Sequence, residues 1–162
     1  MAEVIALPQS PLRPYLGLWR LDPLSVGRRR RVSNVLEAPG FARLWDCTSF
    51  SEREALLAAD PELAARYGAR SAQIDRTLEV SPARLVFSGT TGGAPRESAC
   101  PIVKVTAEGR SVIAQVLSRG QLVGYVFRRR QGWLVVSERY HGRAATLYPR
   151  SPVFRYYQPP AG

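Results

Sequence analysis

Between residues 111 and 148 the chain alternates short apolar runs with polar breaks. The runs are SVIAQVL, LVGYVF, WLVVSERY and AATLY, and SRGQ, RRRQG and HGR separate them. Runs of about 4–8 residues rich in Val, Ile, Tyr, Phe and Trp, bounded by Gly-containing turns, predict an antiparallel meander. Upstream, TLEV and RLVFS flank Ser81-Pro82-Ala83 and predict a hairpin. CPIVKV at 100–105 is the next strand, entered through the Gly-rich turn TTGGAP. That turn lacks the spacing of a phosphate loop, and a strand follows it where a nucleotide site needs a helix. Earlier still, RPYLGLWRL at 13–21 predicts a first strand that Asp22-Pro23 stops. Residues 26–35, with four successive arginines, suit a loop, an edge strand or a barrel mouth, and 41–47 reads as a second or third strand. In a strand, Gly17 marks a bend or a close approach.

One segment departs from this period. EREALLAA, introduced by Ser51-Glu52-Arg53-Glu54, has the form of a capping box. Asp60-Pro61 restarts the helix as N-cap and first-turn proline, and Gly68 is placed to end it. The expectation is a short helical insertion at residues 52–67, broken at Asp60-Pro61, with Leu56, Leu57, Leu63 and Tyr67 as its apolar stripe. A helix of this length is marginal alone and must pack on something. The whole pattern predicts a mainly β domain: an antiparallel up-and-down barrel of about 8–9 strands with one helical insertion. Residues 1–12 form a loose arm, 13–157 the barrel and 158–162 a flexible tail.

Within the meander both faces are apolar. Val123, Tyr125 and Phe127 point one way and Leu122, Gly124 and Val126 the other, while Trp133 and Val135 oppose Leu134 and Val136. A wall with one wet face does not need this. Its outer face is therefore expected under the 52–67 helix or a second subunit, the latter a homodimer.

Composition adds limits. At 162 residues the chain supports one core, and no apolar run is long enough to span a bilayer. The N-terminus lacks the pattern of a signal peptide, which places the protein in the cytoplasm as written, or makes it an exported mature form whose leader was removed. The net charge of +10 is almost wholly arginine, Lys104 being the one lysine. High-GC coding accounts for much of this in a chain rich in Ala, Gly and Pro; an acidic partner is the alternative. Cys47 and Cys100 permit one bridge or two buried thiols, and with a single histidine they argue against a metal site. No cofactor is implied.

Candidate chemistry is sparse. His141, in a turn, and the strand-borne acids Asp46, Glu79 and Glu138 are the groups able to move protons. Tyr125, Phe127, Trp133, Tyr140, Trp45 and Phe87 suit the lining of an apolar interior. The runs at 28–31 and 128–130 place Arg28, Arg30, Arg128 and Arg130 at a solvated rim able to attract an anionic ligand. They lack interleaved aromatic platforms, so nucleic acid is not the expected partner.

Gly17 and Trp19 as G-x-W in the first strand, with Arg150 of LYPR near the last, make the chain resemble the lipocalin-like, or calycin, barrels. The resemblance implies that Trp19 closes one barrel end and that Arg150, or Arg143, packs across its ring, a contact worth about 0.5–2 kcal/mol. A typical lipocalin carries its helix after the eighth strand rather than early. The implied function is binding of an apolar or amphipathic small molecule, an anion included, inside the barrel. A cyclase or isomerase that folds a polyene-like intermediate in the same cavity is one alternative. A filled basic module that meets an acidic protein or polyanion is the other.

Overall fold

The structure, a computed structural model, describes residues 10–26, 40–91, 94–140 and 153–159. Eight antiparallel strands close a barrel in simple chain order. They are β1 (Gly17–Leu21), β2 (Arg76–Val80), β3 (Arg84–Thr91), β4 (Ala94–Glu108), β5 (Ser111–Ser118), β6 (Gln121–Arg130), β7 (Trp133–Tyr140) and β8 (Val153–Tyr157). β8 closes on β1 through Arg20 opposite Tyr157 and Leu21 opposite Tyr156. The closed antiparallel barrel expected from the strand pattern is thus present, with the aromatics of residues 153–157 as its last strand.

Period-two alternation decides what faces inward. Leu78 and Val80 of β2, Val112, Ala114 and Val116 of β5, Leu134 and Val136 of β7 and Tyr156 of β8 are all buried in one core cluster. On β6 the inward set is Val123, Tyr125 and Phe127, as the sequence alternation implies. One end of the barrel is plugged. A 3-10 turn, Arg13–Tyr15, precedes β1 and lays Leu12 and Tyr15 against Trp19 and Phe127. The Tyr15 and Phe127 rings stack at 5.7 Å. Gly17 has φ +121°, a left-handed geometry that lets the turn feed directly into the strand.

Between β1 and β2 the chain is helical rather than extended. The segment at 41–47, expected as a strand, forms α1 (Phe41–Trp45). Its apolar residues Phe41, Leu44 and Trp45 fit helical spacing as well as a strand, and burial settles the choice. Phe41 and Leu44 join Leu24, Leu63 and Tyr67 in a second core outside the barrel. Gly40, at φ +89°, begins α1 where an added Cβ would lie 2.7 Å from Leu63 Cδ1. Residues 27–35, which hold the run of four arginines, lie outside the described residues.

The insertion itself is α2 (Phe50–Ala59) and α3 (Pro61–Gln73), broken at Asp60-Pro61 as expected. Asp60 caps α3 by accepting from the Leu63 amide at 3.1 Å. The cap of α2 is Ser49 rather than Ser51, because both serines have a glutamate three residues on. Ser49 Oγ accepts from Glu52 N, and Glu52 in turn accepts from the Thr48 amide and hydroxyl. Gly68 does not end α3, which runs on to Gln73 through good helix formers while Arg70 reaches the Val26 carbonyl at 3.3 Å.

Candidate functional site

The half of the barrel away from the Trp19 plug encloses a cavity of about 300 Å³. Leu21, Phe87, Tyr125, Val136, Phe154 and Tyr156 supply its apolar wall. Arg76, Ser98, Cys100, Ser118 and Glu138 add polar atoms. These groups meet because each lies at an inward position of its strand: 76 on β2, 87 on β3, 98 and 100 on β4, 125 on β6, 136 and 138 on β7. Phe87 and Tyr125 meet with their rings tilted by 41° and their centres 5.0 Å apart in the interior. Arg76 is solvent-exposed although it lines the cavity, so it stands at the opening.

Tyr156 is the buried polar group of this wall. Burial pushes its hydroxyl well above the usual tyrosine range; Arg76 opposes that rise and Glu138 adds to it. The cavity thus joins an aromatic surface to a buried O–H with a cation and a carboxyl nearby. An amphipathic molecule finds both kinds of contact there.

Outside the same wall lies a second constellation. Asp22, fully buried, accepts from Arg53 Nη1 at 2.6 Å, Arg53 Nη2 at 3.1 Å, Arg155 Nε at 2.9 Å and the Leu24 amide at 3.0 Å. The Arg155 guanidinium lies 3.5 Å from the Trp45 ring centre and 3.9 Å from that of Trp133. Arg53 also donates to the Leu44 carbonyl and the Tyr67 hydroxyl. Burial alone would lower the Arg53 pKa, but the bonds and charge of Asp22 outweigh it and the net direction is up. Trp133 Nε1 donates to the Cys47 carbonyl at 2.9 Å, and Tyr157 stacks on Phe50 at 3.8 Å. Together these contacts fix the helices against β7 and β8. They are a structural joint rather than a reactive centre.

No protein-family model and no curated protein sequence matches the chain. Among solved structures it is similar to a crystal structure of a mutant of the fluorescent protein UnaG, at 11% identity and a TM-score of 0.38. The match covers 91% of this chain and 97% of that one. The fold assignment rests on the closed strand order itself.

The structure separates the residues that the sequence grouped. Phe87 and Tyr125 line the cavity, whereas Phe127 belongs to the plug. Trp133 points outward under the helices, and Trp45 sits on α1 across Arg155 from it. The side chain of Tyr140 lies outside the described residues. Among the proton-moving candidates, Glu138 lines the cavity, while Asp46 follows α1 outside the barrel and is exposed. Glu79 is outward on β2 and exposed. His141, Arg28, Arg30, Arg143 and Arg150 fall outside the described residues.

The Trp19 ring is covered by Arg129, whose guanidinium is 5.2 Å from its centre. Arg129 is inward on β6, and its neighbours Arg128 and Arg130 are exposed at the plugged end, away from the cavity. The arginine at the opening is Arg76. Cys47 and Cys100 are free buried thiols, the first in the helical layer and the second in the cavity wall. Sequence reasoning missed Asp22, read as a strand stop, and Arg53, noted only as part of the capping box. It also gave Arg155 and Tyr156, inside the expected barrel, no role. A buried acid is legible only through its partners, and Asp22 lies 31 residues from one and 133 from the other.

Alkaline pH should unfold the protein early. Burial raises Tyr157 to about 12 from an ordinary 10.0 and raises Tyr156, Tyr67 and Cys47 as well. Between these values the unfolded chain has released protons that the folded one keeps, so stability falls with rising pH. It is intact below about pH 9 and lost progressively from about 10 to beyond 12. Tyrosine ionisation followed at 295 nm should coincide with loss of the near-ultraviolet dichroism. Full ionisation of the tyrosines in a still-folded protein would contradict this.

Proposed function

We propose that the protein binds an apolar or amphipathic small molecule inside its barrel. The observation that carries this reading is the cavity of about 300 Å³, at the lower end of the range that small-molecule sites occupy. Its aromatic wall takes the apolar body. Arg76 at the opening and the Tyr156 hydroxyl take a polar or anionic head. A fully packed barrel would use the same residue types without leaving this space, which favours binding over a filled interaction module.

The test uses 1-anilinonaphthalene-8-sulfonate, a fluorescent amphipathic anion, with native mass spectrometry of the protein from its own host. The dye should brighten on binding. Ser98→Trp, which fills the cavity from a partly open strand position, should weaken the dye at least about tenfold, with an unchanged melting temperature. Equal dye binding by Ser98→Trp, or none by either protein, would overturn the proposal. A copurifying mass that Ser98→Trp loses would support it. Use of the cavity by a cyclase or isomerase has Glu138 as its acid–base group, the one acid among the lining residues. Under that reading Glu138→Gln keeps any copurified molecule but no longer converts it.

A further inference from the structure

Of the five large apolar side chains exposed among the described residues, Val103, Leu117 and Leu122 share one wall of the barrel. Leu117 and Leu122 are directly opposite each other on β5 and β6, 44% and 48% exposed, at the last rung but one before the turn. Val103 is 56% exposed where a register shift bulges β4 out beside β5. The turn places Arg119, at φ +53°, at the tip, and the exposed Lys104 sits next to Val103. Residue Ser118 of the same hairpin lines the cavity.

Charge selects the occupant of this surface. From residue 109 to 137 the chain has no acidic side chain, and the whole protein carries +10. A second copy brings the same positive charge and is repelled. Neutral or acidic protein surfaces do not call for a protruding pair of leucines around an arginine. An anionic lipid bilayer matches both features: it accepts leucines at the depth of its headgroup boundary and attracts the arginine and lysine that flank them.

We propose that the β5–β6 hairpin tip docks the protein on an anionic lipid bilayer. Ser118 then brings the cavity to the bilayer surface, where an amphipathic ligand can pass between lipid and barrel. That consequence rests on the binding reading above. Docking itself is measured without ligand, so failure of one is distinguishable from failure of the other.

The experiment is cosedimentation of the intact protein with vesicles of phosphatidylcholine, alone or with about a third phosphatidylserine. The protein should bind the anionic vesicles and not the neutral ones. Leu117→Ser with Leu122→Ser should weaken binding about tenfold or more, and Arg119→Ser about fivefold. Both positions are solvent-exposed, and unchanged melting temperatures show that the variants fold. Arg128→Ser with Arg130→Ser, at the plugged end, should bind within about twofold of the parent once its lower net charge is matched in salt. No binding to anionic vesicles would overturn the proposal. So would loss confined to the Arg128 and Arg130 variant, which assigns binding to the plugged end. A concentration-dependent dimer abolished by the leucine substitutions would overturn it in favour of a second copy.

Discussion

Asp22→Ala is expected to destabilise the protein by about 3–5 kcal/mol, because it strands a buried guanidinium. Arg53 is wholly buried, and the carboxylate it pairs with is that of Asp22. Arg155, wedged between Trp45 and Trp133, loses the same carboxylate. For a chain of this length the change should lower the melting temperature by about 10 °C. Removing both charges is milder than removing one, so Asp22→Asn combined with Arg53→Met should be more stable than the sum of the single changes predicts. Denaturant unfolding measures the cycle. A loss under about 1 kcal/mol for Asp22→Ala would show that the joint contributes little.

Trp19→Ala should cost about 3–5 kcal/mol by opening a void in the plugged end. The ring is 1% exposed, packs with Leu12, Tyr15 and Phe127, and donates through Nε1 to the Tyr15 carbonyl at 2.9 Å. Trp19→Phe keeps much of the volume and loses that bond, so it should cost only about 1–2 kcal/mol. Arg129→Met removes the cation from the ring face and should cost about 1 kcal/mol. Equilibrium unfolding of the three variants ranks them. If Trp19→Ala and Trp19→Phe were equal, the lost hydrogen bond rather than the void would dominate. Dye binding in the cavity should survive Trp19→Phe, since the plug and the cavity occupy different halves of the barrel.

The outer apolar face of the meander shows how far local pattern carries. Two apolar faces on β7 imply a cover, and Trp133 is indeed covered, by the Cys47 carbonyl and Arg53. The turn after β6 shows how close the cover lies. Gly132 N donates to the Thr48 carbonyl at 2.9 Å, and a Cβ on Gly132 would come within 2.8 Å of Ser49 Cβ. On β6 the same pattern had another outcome, for Leu122 remains exposed. Alternation states which side a residue takes; it does not state what meets it there.

By itself the sequence determined the first three strands of the meander, β5 to β7, the fourth run AATLY lying outside the described residues. With them it determined the hairpin of β2 and β3, the helical break at Asp60-Pro61 and the inward row of Val123, Tyr125 and Phe127. All of these follow from backbone periodicity, turn chemistry and capping, which act over a few residues. Tertiary structure decided the rest. It made 41–45 a helix because Leu63 and Tyr67 bury Phe41 and Leu44 there. It put Arg129 over Trp19 and sent Phe127 to the plug while Tyr125 lines the cavity, although one strand carries all three. It also joined Asp22, Arg53 and Arg155. The physical reason is common to these cases: barrel closure staggers the strands, so the level at which an inward residue arrives depends on pairings made across the whole chain.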